Sequence, residues 1–140
     1  VLIAPALFVA GRDTGIIRKS QERAFADNRI EVVRAEHPEW HPQEHELKIE
    51  AVTRASAWAV EQTSVQNQTW DVRAEAARLR VPTHIIGADP AVYSLFTGDT
   101  ADGVLASNPG ITMSIVPGAG HSPHRDRPDE TMRQILEVLS

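Results

Sequence analysis

Val81-Pro82-Thr83-His84-Ile85-Ile86-Gly87-Ala88-Asp89-Pro90 is an apolar run that opens at a proline and closes on a glycine and an acid. It is read together with Ile111-Thr112-Met113-Ser114-Ile115-Val116 and the turn Pro117-Gly118-Ala119-Gly120-His121-Ser122 behind it. Each apolar run is short, rich in β-branched residues and closed by glycine or proline, which is how a strand buried on both faces of a parallel sheet reads. Strands are expected over 81–87 and 111–116, the second entered from the turn Asn108-Pro109-Gly110. A short helix is expected over 101–107 between them. Pro128 to Leu139 closes the chain as an amphipathic helix with Met132, Ile135, Leu136 and Leu139 on one face.

Upstream, Val1-Leu2-Ile3-Ala4-Pro5 is a third apolar run ending at a proline. It reads as a strand entered midway, because no initiator Met, basic flank or cleavage site accompanies it. Arg12-Asp13-Thr14-Gly15 reads as a turn, and Ile17, Ala24 and Phe25 space a modest helix over 16–28. His37-Pro38-Glu39-Trp40-His41-Pro42 reads as a loop, since each proline turns the residue before it away from helix. From Pro42 to about Gln62, Leu47, Ala51, Val52, Ala55, Trp58 and Ala59 recur at helical spacing, which predicts one long helix. Residues 63–69 then read as a polar loop and 71–79 as a short helix capped by Asp71. Strands alternating with helices give an α/β class with a parallel sheet and right-handed crossovers. Three strands are few for such a sheet, so further strands are expected to cover what these leave open.

Composition narrows the function. The 140 residues are 41% hydrophobic and 24% charged, values of a soluble globular protein. A net charge of −5 offers no basic face to a phosphate backbone, so nucleic acid is not an expected partner. No run approaches the roughly 20 apolar residues of a membrane helix, so no membrane partner is expected. The chain has no cysteine, which rules out disulfides and thiolate metal sites and agrees with a cytoplasmic location. His37, His41 and His45 are four apart, as zinc ligands on a helix would be, but Pro38 and Pro42 break that geometry and favour a surface loop. Gly118-Ala119-Gly120 lacks the third glycine and the helix start of a dinucleotide fingerprint. Neither a metal nor an organic cofactor is expected.

In a parallel sheet, reactive groups collect just past the carboxyl ends of the strands. Asp89 stands two residues beyond Gly87, and His121 stands in the small-residue turn that follows Val116. A carboxylate and an imidazole on adjacent post-strand turns have the geometry in which the acid accepts the Nδ1 proton and leaves Nε2 free to act as a base. Asp89 before proline also suits a plain turn residue. Asp99 and Asp102 are fallback acids that read more simply as solvated helix caps. His124, Arg125 and Asp126 read as structural, steadying the turn.

These motifs, with Asn108-Pro109-Gly110 and the terminal helix, resemble the end of an α/β-hydrolase. In that family "Pro-Thr, apolar strand, Gly, Asp" carries the triad acid and "Gly-x-Gly-His-Ser" the triad histidine. The resemblance therefore implies Asp89 as acid and His121 as general base. It further implies that residues 1–11 are the core strand after the nucleophile unit, 12–79 a helical cap and 80–140 the C-terminal part of the core. The sharp motifs cover only residues 81–140.

The family's nucleophile sits on a Gly-x-Ser-x-Gly elbow earlier in the chain, and no such pentapeptide occurs here. Ser56 and Ser107 lie in the wrong local settings. A partial hydrolase fold is thus expected, with the missing N-terminal half of the core as its partner and a small apolar ester-like molecule as substrate. Lactones, epoxides, halides and C–C bonds are related alternatives. Trp58 and Trp40 either line an apolar substrate pocket or pack the cap on itself. The other class of reading is a truncated domain that binds a small apolar ligand or a partner chain without catalysis.

Overall fold

A computed structural model describes residues 1–140, apart from the side chain of Arg12. Along the chain run β1 (Leu2–Ile3), β2 (Phe8–Val9), α1 (Arg12–Ala26), α2 (Ile30–Glu36), α3 (Pro42–Arg54) and α4 (Ala57–Gln66). Then follow β3 (Trp70–Asp71), α5 (Arg73–Ala77), β4 (Thr83–Ala88), α6 (Gly98–Ser107), β5 (Ile111–Val116), α7 (Pro123–Asp126) and α8 (Pro128–Leu139). The chain divides into two compact units, Val1–Val9 with Trp70–Ser140, and Ala10–Thr69.

The first unit holds a parallel sheet in the order β1-β4-β5, with Ile85 opposite both Leu2 and Met113. The α/β reading of the sequence therefore stands, and β5 and α8 fall where the apolar runs put them. Successive residues of a strand point to opposite faces. Ile85 packs with Phe96, Ala101 and Val104 on one face, while Ile86 packs with Val116, Ala119 and Ile135 on the other. Both isoleucines have no exposed surface, a burial that contributes about 1.5–3 kcal/mol for each.

The terminal helix departs from expectation. Ile135 reaches the sheet, but Met132, Leu136 and Leu139 are 54%, 60% and 69% exposed, whereas Thr131 and Gln134 are buried. The stripe exists, but its centre is rotated away from the sheet. Residues 70–79 also depart. Instead of one helix they give the short β3 and α5, and β3 pairs antiparallel with β2, Phe8 opposite Asp71. Trp70 Nε1 donates to the Ala6 carbonyl at 2.9 Å, and the Arg73 guanidinium lies 4.1 Å above the Phe8 ring. These contacts join residues 70–73 to residues 6–9 within the first unit. Buried Asn108 closes the far end of α5: Nδ2 donates to the Ala77 and Leu79 carbonyls at 3.2 and 3.0 Å, and Oδ1 accepts from Gly110 N at 2.9 Å.

In the second unit, α2 packs on α3 and α1 on α4. The expected single helix from 42 to 62 is two helices. Ala55 is extended, with ψ 144°, and Ser56 Oγ accepts from Ala59 N at 3.3 Å to cap α4, which runs on through the expected loop to Gln66. The expected turn at 12–15 is instead the start of α1, Gly15 lying inside the helix. The loop from His37 to His41 is as read. Trp40 is buried at 7% exposure and stacks on His37 at 3.8 Å and 8°. His45 Nε2 pairs with the His37 carbonyl at 2.8 Å, and His41 Nδ1 accepts from Gln43 N at 3.2 Å, so each of the three histidines has a structural task.

Candidate active site

Because β4 and β5 are parallel, their carboxyl ends lie at one edge of the sheet. Asp89 follows β4 directly, and the turn 117–122 follows β5. The two loops are bonded together: Asp89 N donates to the Ala119 carbonyl at 2.8 Å, and Asp89 Oδ2 accepts from Gly118 N at 2.8 Å. Asp89 Oδ1 accepts from Ala91 N, also at 2.8 Å. The Gly118 and Ala91 N–H groups stabilise the carboxylate, and they hold its pKa below the usual value of 3.8.

The histidine turn is built from small residues for steric reasons. Gly118 has φ 71°, and a Cβ there would sit 3.2 Å from Arg127 Nη2. Gly120 N donates to Asp126 Oδ2 at 2.7 Å, and Thr131 Oγ1 donates to the Pro123 carbonyl at 2.9 Å, tying α7 to α8. Asp126 thus steadies the turn through a backbone N–H.

His121 is half-buried, with the Tyr93 ring edge-on at 6.4 Å and 72°. Burial lowers its pKa from 6.5, and the neighbouring His124 adds to the effect, so the imidazole is neutral above that pH. Its Nδ1 is buried and makes no hydrogen bond among the described residues. The expected Asp89 to His121 hydrogen bond is therefore not formed in this arrangement. The carboxylate is turned onto the two backbone N–H groups, one of them three residues before His121. Each of its oxygens keeps a second lone pair.

The remaining candidates fall elsewhere. Asp99 lies in the first turn of α6 and Asp102 further along it, both exposed. Ser107 Oγ donates to the Val104 carbonyl at 2.8 Å. Trp40 packs its own unit, while Trp58 is 70% exposed beside a cavity of about 500 Å³ lined also by Phe25, Val60 and Glu61.

A serine does touch a histidine in a place the sequence does not suggest: Ser114 Oγ lies 2.9 Å from His84 Nε2. It is not an activated nucleophile. Gln134 Nε2 donates to the Ile115 carbonyl and to Glu130 Oε1, which turns Gln134 Oε1 toward Ser114 at 2.6 Å. The serine proton goes to that amide, and the imidazole must donate from Nε2. His84, Thr112 and Ser114 become neighbours only through the register of β4 on β5, which the sequence alone does not fix. Tyr93 carries no signal beyond lying four residues after Asp89. Among the described residues, no group of three or more His, Cys, Asp or Glu side chains is arranged to hold a metal ion. No helix among them is long and apolar enough to cross a membrane.

Known proteins give the arrangement its context. An N-formylmaleamic acid deformylase from Pseudomonas putida S16 superimposes with a TM-score of 0.70 at 20% identity, over 96% of this chain and 54% of its own. An esterase from Exiguobacterium antarcticum superimposes with a TM-score of 0.61 at 14% identity, over 91% of this chain and 48% of its own. At these identities the likeness is one of fold, and the chain spans about half the length of the structures it matches. No curated protein matches the chain. The model of the alpha/beta hydrolase family matches residues 1–134. With that match over nearly its whole length, and with the acid-bearing and histidine-bearing turns joined at one sheet edge, the chain belongs to the alpha/beta hydrolase family.

Proposed function

We propose that Asp89 and His121 are the acid and the general base of a serine-type hydrolase whose nucleophile lies outside this chain, in the N-terminal half of the core. The observation that carries this is the joining of the two turns. The carboxylate of Asp89 already holds the backbone leading to His121, and the buried Nδ1 of His121 has no partner among the described residues. A hydrogen bond from His121 Nδ1 to an Asp89 oxygen would replace an orphaned ring nitrogen with a charge-assisted pair. In that state Asp89 fixes the Nδ1–H tautomer and His121 Nε2 removes the proton of the incoming serine. The serine oxygen then attacks the ester carbonyl, the imidazolium returns the proton to the departing alkoxide, and water repeats the sequence to release the acid.

The substrate class is a small apolar carboxylic ester. Within its own unit Trp58 borders a cavity with Phe25 and Val60 that suits a small apolar group, and the reaction as proposed calls on no metal or organic cofactor. A second reading, a domain that binds a small apolar ligand or partner chain without catalysis, draws its support from the same unmade bond between Asp89 and His121. The two are separated by assaying the longer protein that contains these residues against a short acyl nitrophenyl ester. Asp89→Asn and His121→Ala should each abolish most of the activity. Full activity in either variant defeats the triad, and an inactive parent protein favours the binding domain.

A further inference from the structure

In the unit of residues 10–69, a cavity of about 280 Å³ opens between α1, α2 and α3, lined by Ser20, Arg23, Ala24, Glu36, His37 and Lys48. In a chain of net charge −5, two permanent cations, an imidazole and a hydroxyl share this space with one lining carboxylate, Glu36, while Glu39 Oε1 stands 3.8 Å from His37 Nδ1. The cations are poorly satisfied. Arg23 Nη1 meets Glu36 Oε1 at 3.4 Å, a long single contact between side chains that are 72% and 40% exposed. Lys48 makes no ion pair among the described residues. The His37 ring is held in place by its stack on Trp40, and its carbonyl accepts from Trp40 N, with His45 Nε2 also 2.8 Å away, so that oxygen is already engaged.

The geometry points to a binding site for a compact dianionic oxyanion of the phosphate type, held by Arg23 and Lys48 with Ser20 and His37 as further donors. Three helices bring the donors to one small volume, too small for a drug-sized body and ample for a single phosphoryl group. The guanidinium fork suits two oxygens of such a group, and Lys48 supplies a point charge. Glu36 competes for Arg23 and offsets one of the two cationic charges. None of these residues takes part in the proposed reaction.

The test is titration of the ¹⁵N-labelled chain with inorganic phosphate, and separately with methyl phosphate, at constant ionic strength set with chloride. Saturable amide shifts confined to residues 20–24, 36–37 and the turn around Lys48 are expected with either probe. Tighter binding of methyl phosphate identifies the source as a phosphoryl group on a larger molecule, and tighter binding of inorganic phosphate identifies the free ion. Lys48→Gln and Arg23→Gln should each weaken binding about tenfold or more, as loss of a charged hydrogen-bond partner does. Glu36→Gln should tighten it by up to about fivefold by freeing Arg23. Should Lys48→Gln fail to fold by circular dichroism, Arg23→Gln and Glu36→Gln decide. Shifts that do not saturate, that chloride alone reproduces, or that survive undiminished in the arginine variant overturn the proposal.

Discussion

Gly118→Ala is the sharpest perturbation of the histidine turn, because glycine there satisfies two separate demands. Its φ of 71° lies in the left-handed region, where an L side chain costs about 1–2 kcal/mol. The added Cβ would also stand 3.2 Å from Arg127 Nη2, but that is the end of a flexible, exposed side chain and can move aside. The strain therefore comes mainly from the backbone, and the net loss should be about 1–2 kcal/mol. At roughly 3–4 °C per kcal/mol for a chain of this length, the melting temperature should fall by about 3–7 °C. Gly118→Asn should cost less than Gly118→Ala, since asparagine tolerates this region, and Gly118→Val should cost most. Adding Arg127→Ala to Gly118→Ala should recover little. As the turn shifts, Gly118 N leaves Asp89 Oδ2 and the Asp89 carboxyl should titrate closer to 3.8 by carbon-detected NMR. Urea unfolding and calorimetry measure the first effect. A Gly118→Ala chain as stable as its parent, or a valine variant no worse than the asparagine one, would refute the backbone argument.

Other outcomes follow from the same contacts. The folded pKa of His121 lies below 6.5 while the unfolded chain keeps its ordinary value, so the unfolded state binds more protons as pH falls. Its contribution to stability is complete above pH 6.5 and is lost as pH drops toward the folded value, and His121→Gln should flatten that part of a stability-against-pH curve. Asp89 behaves in the usual carboxylate sense: its contribution is present above 3.8 and is lost as pH falls through its lowered folded value. Gln134→Leu strips an acceptor from the half-buried Ser114 and a donor from the Ile115 carbonyl, and each hydrogen bond lost should cost about 0.5–1.5 kcal/mol in urea unfolding. Adding Ser114→Ala to Gln134→Leu should cost less than the two changes summed.

The parallel sheet is legible in the sequence because β4 and β5 are short apolar runs bounded by turn residues; the expected burial on both faces holds for β4, whereas β5, at the end of the strand order, leaves Thr112 and Ile115 exposed. The same property exposes Asp89 and His121 as the first polar groups past two neighbouring strand ends. What sequence does not weigh is competition for one side chain. The carboxylate of Asp89 meets two backbone N–H groups before any imidazole, and one of them comes from a residue 29 positions away. Helix periodicity misleads twice for related reasons. Across Ala55 and Ser56 the alanine spacing continues although the chain breaks, because small apolar residues mark phase without fixing backbone angles, and the capping role of Ser56 is the signal that marks the break. In α8 the spacing of Met132, Leu136 and Leu139 reports that an apolar stripe exists and not what it meets. The β2 to β3 pair, two residues each and some 60 positions apart, has no periodic trace at all.

Whether Asp89 acts on catalysis only through His121, as proposed, is measured by a double-mutant cycle in a longer protein that contains both residues and hydrolyses the ester. His121→Ala should lower kcat on the order of a millionfold and Asp89→Asn on the order of ten-thousandfold, as in comparable triads. The double variant should be no slower than His121→Ala alone, since an acid has nothing to orient once the imidazole is gone. Losses that multiply in the double variant would show that Asp89 and His121 serve the protein independently.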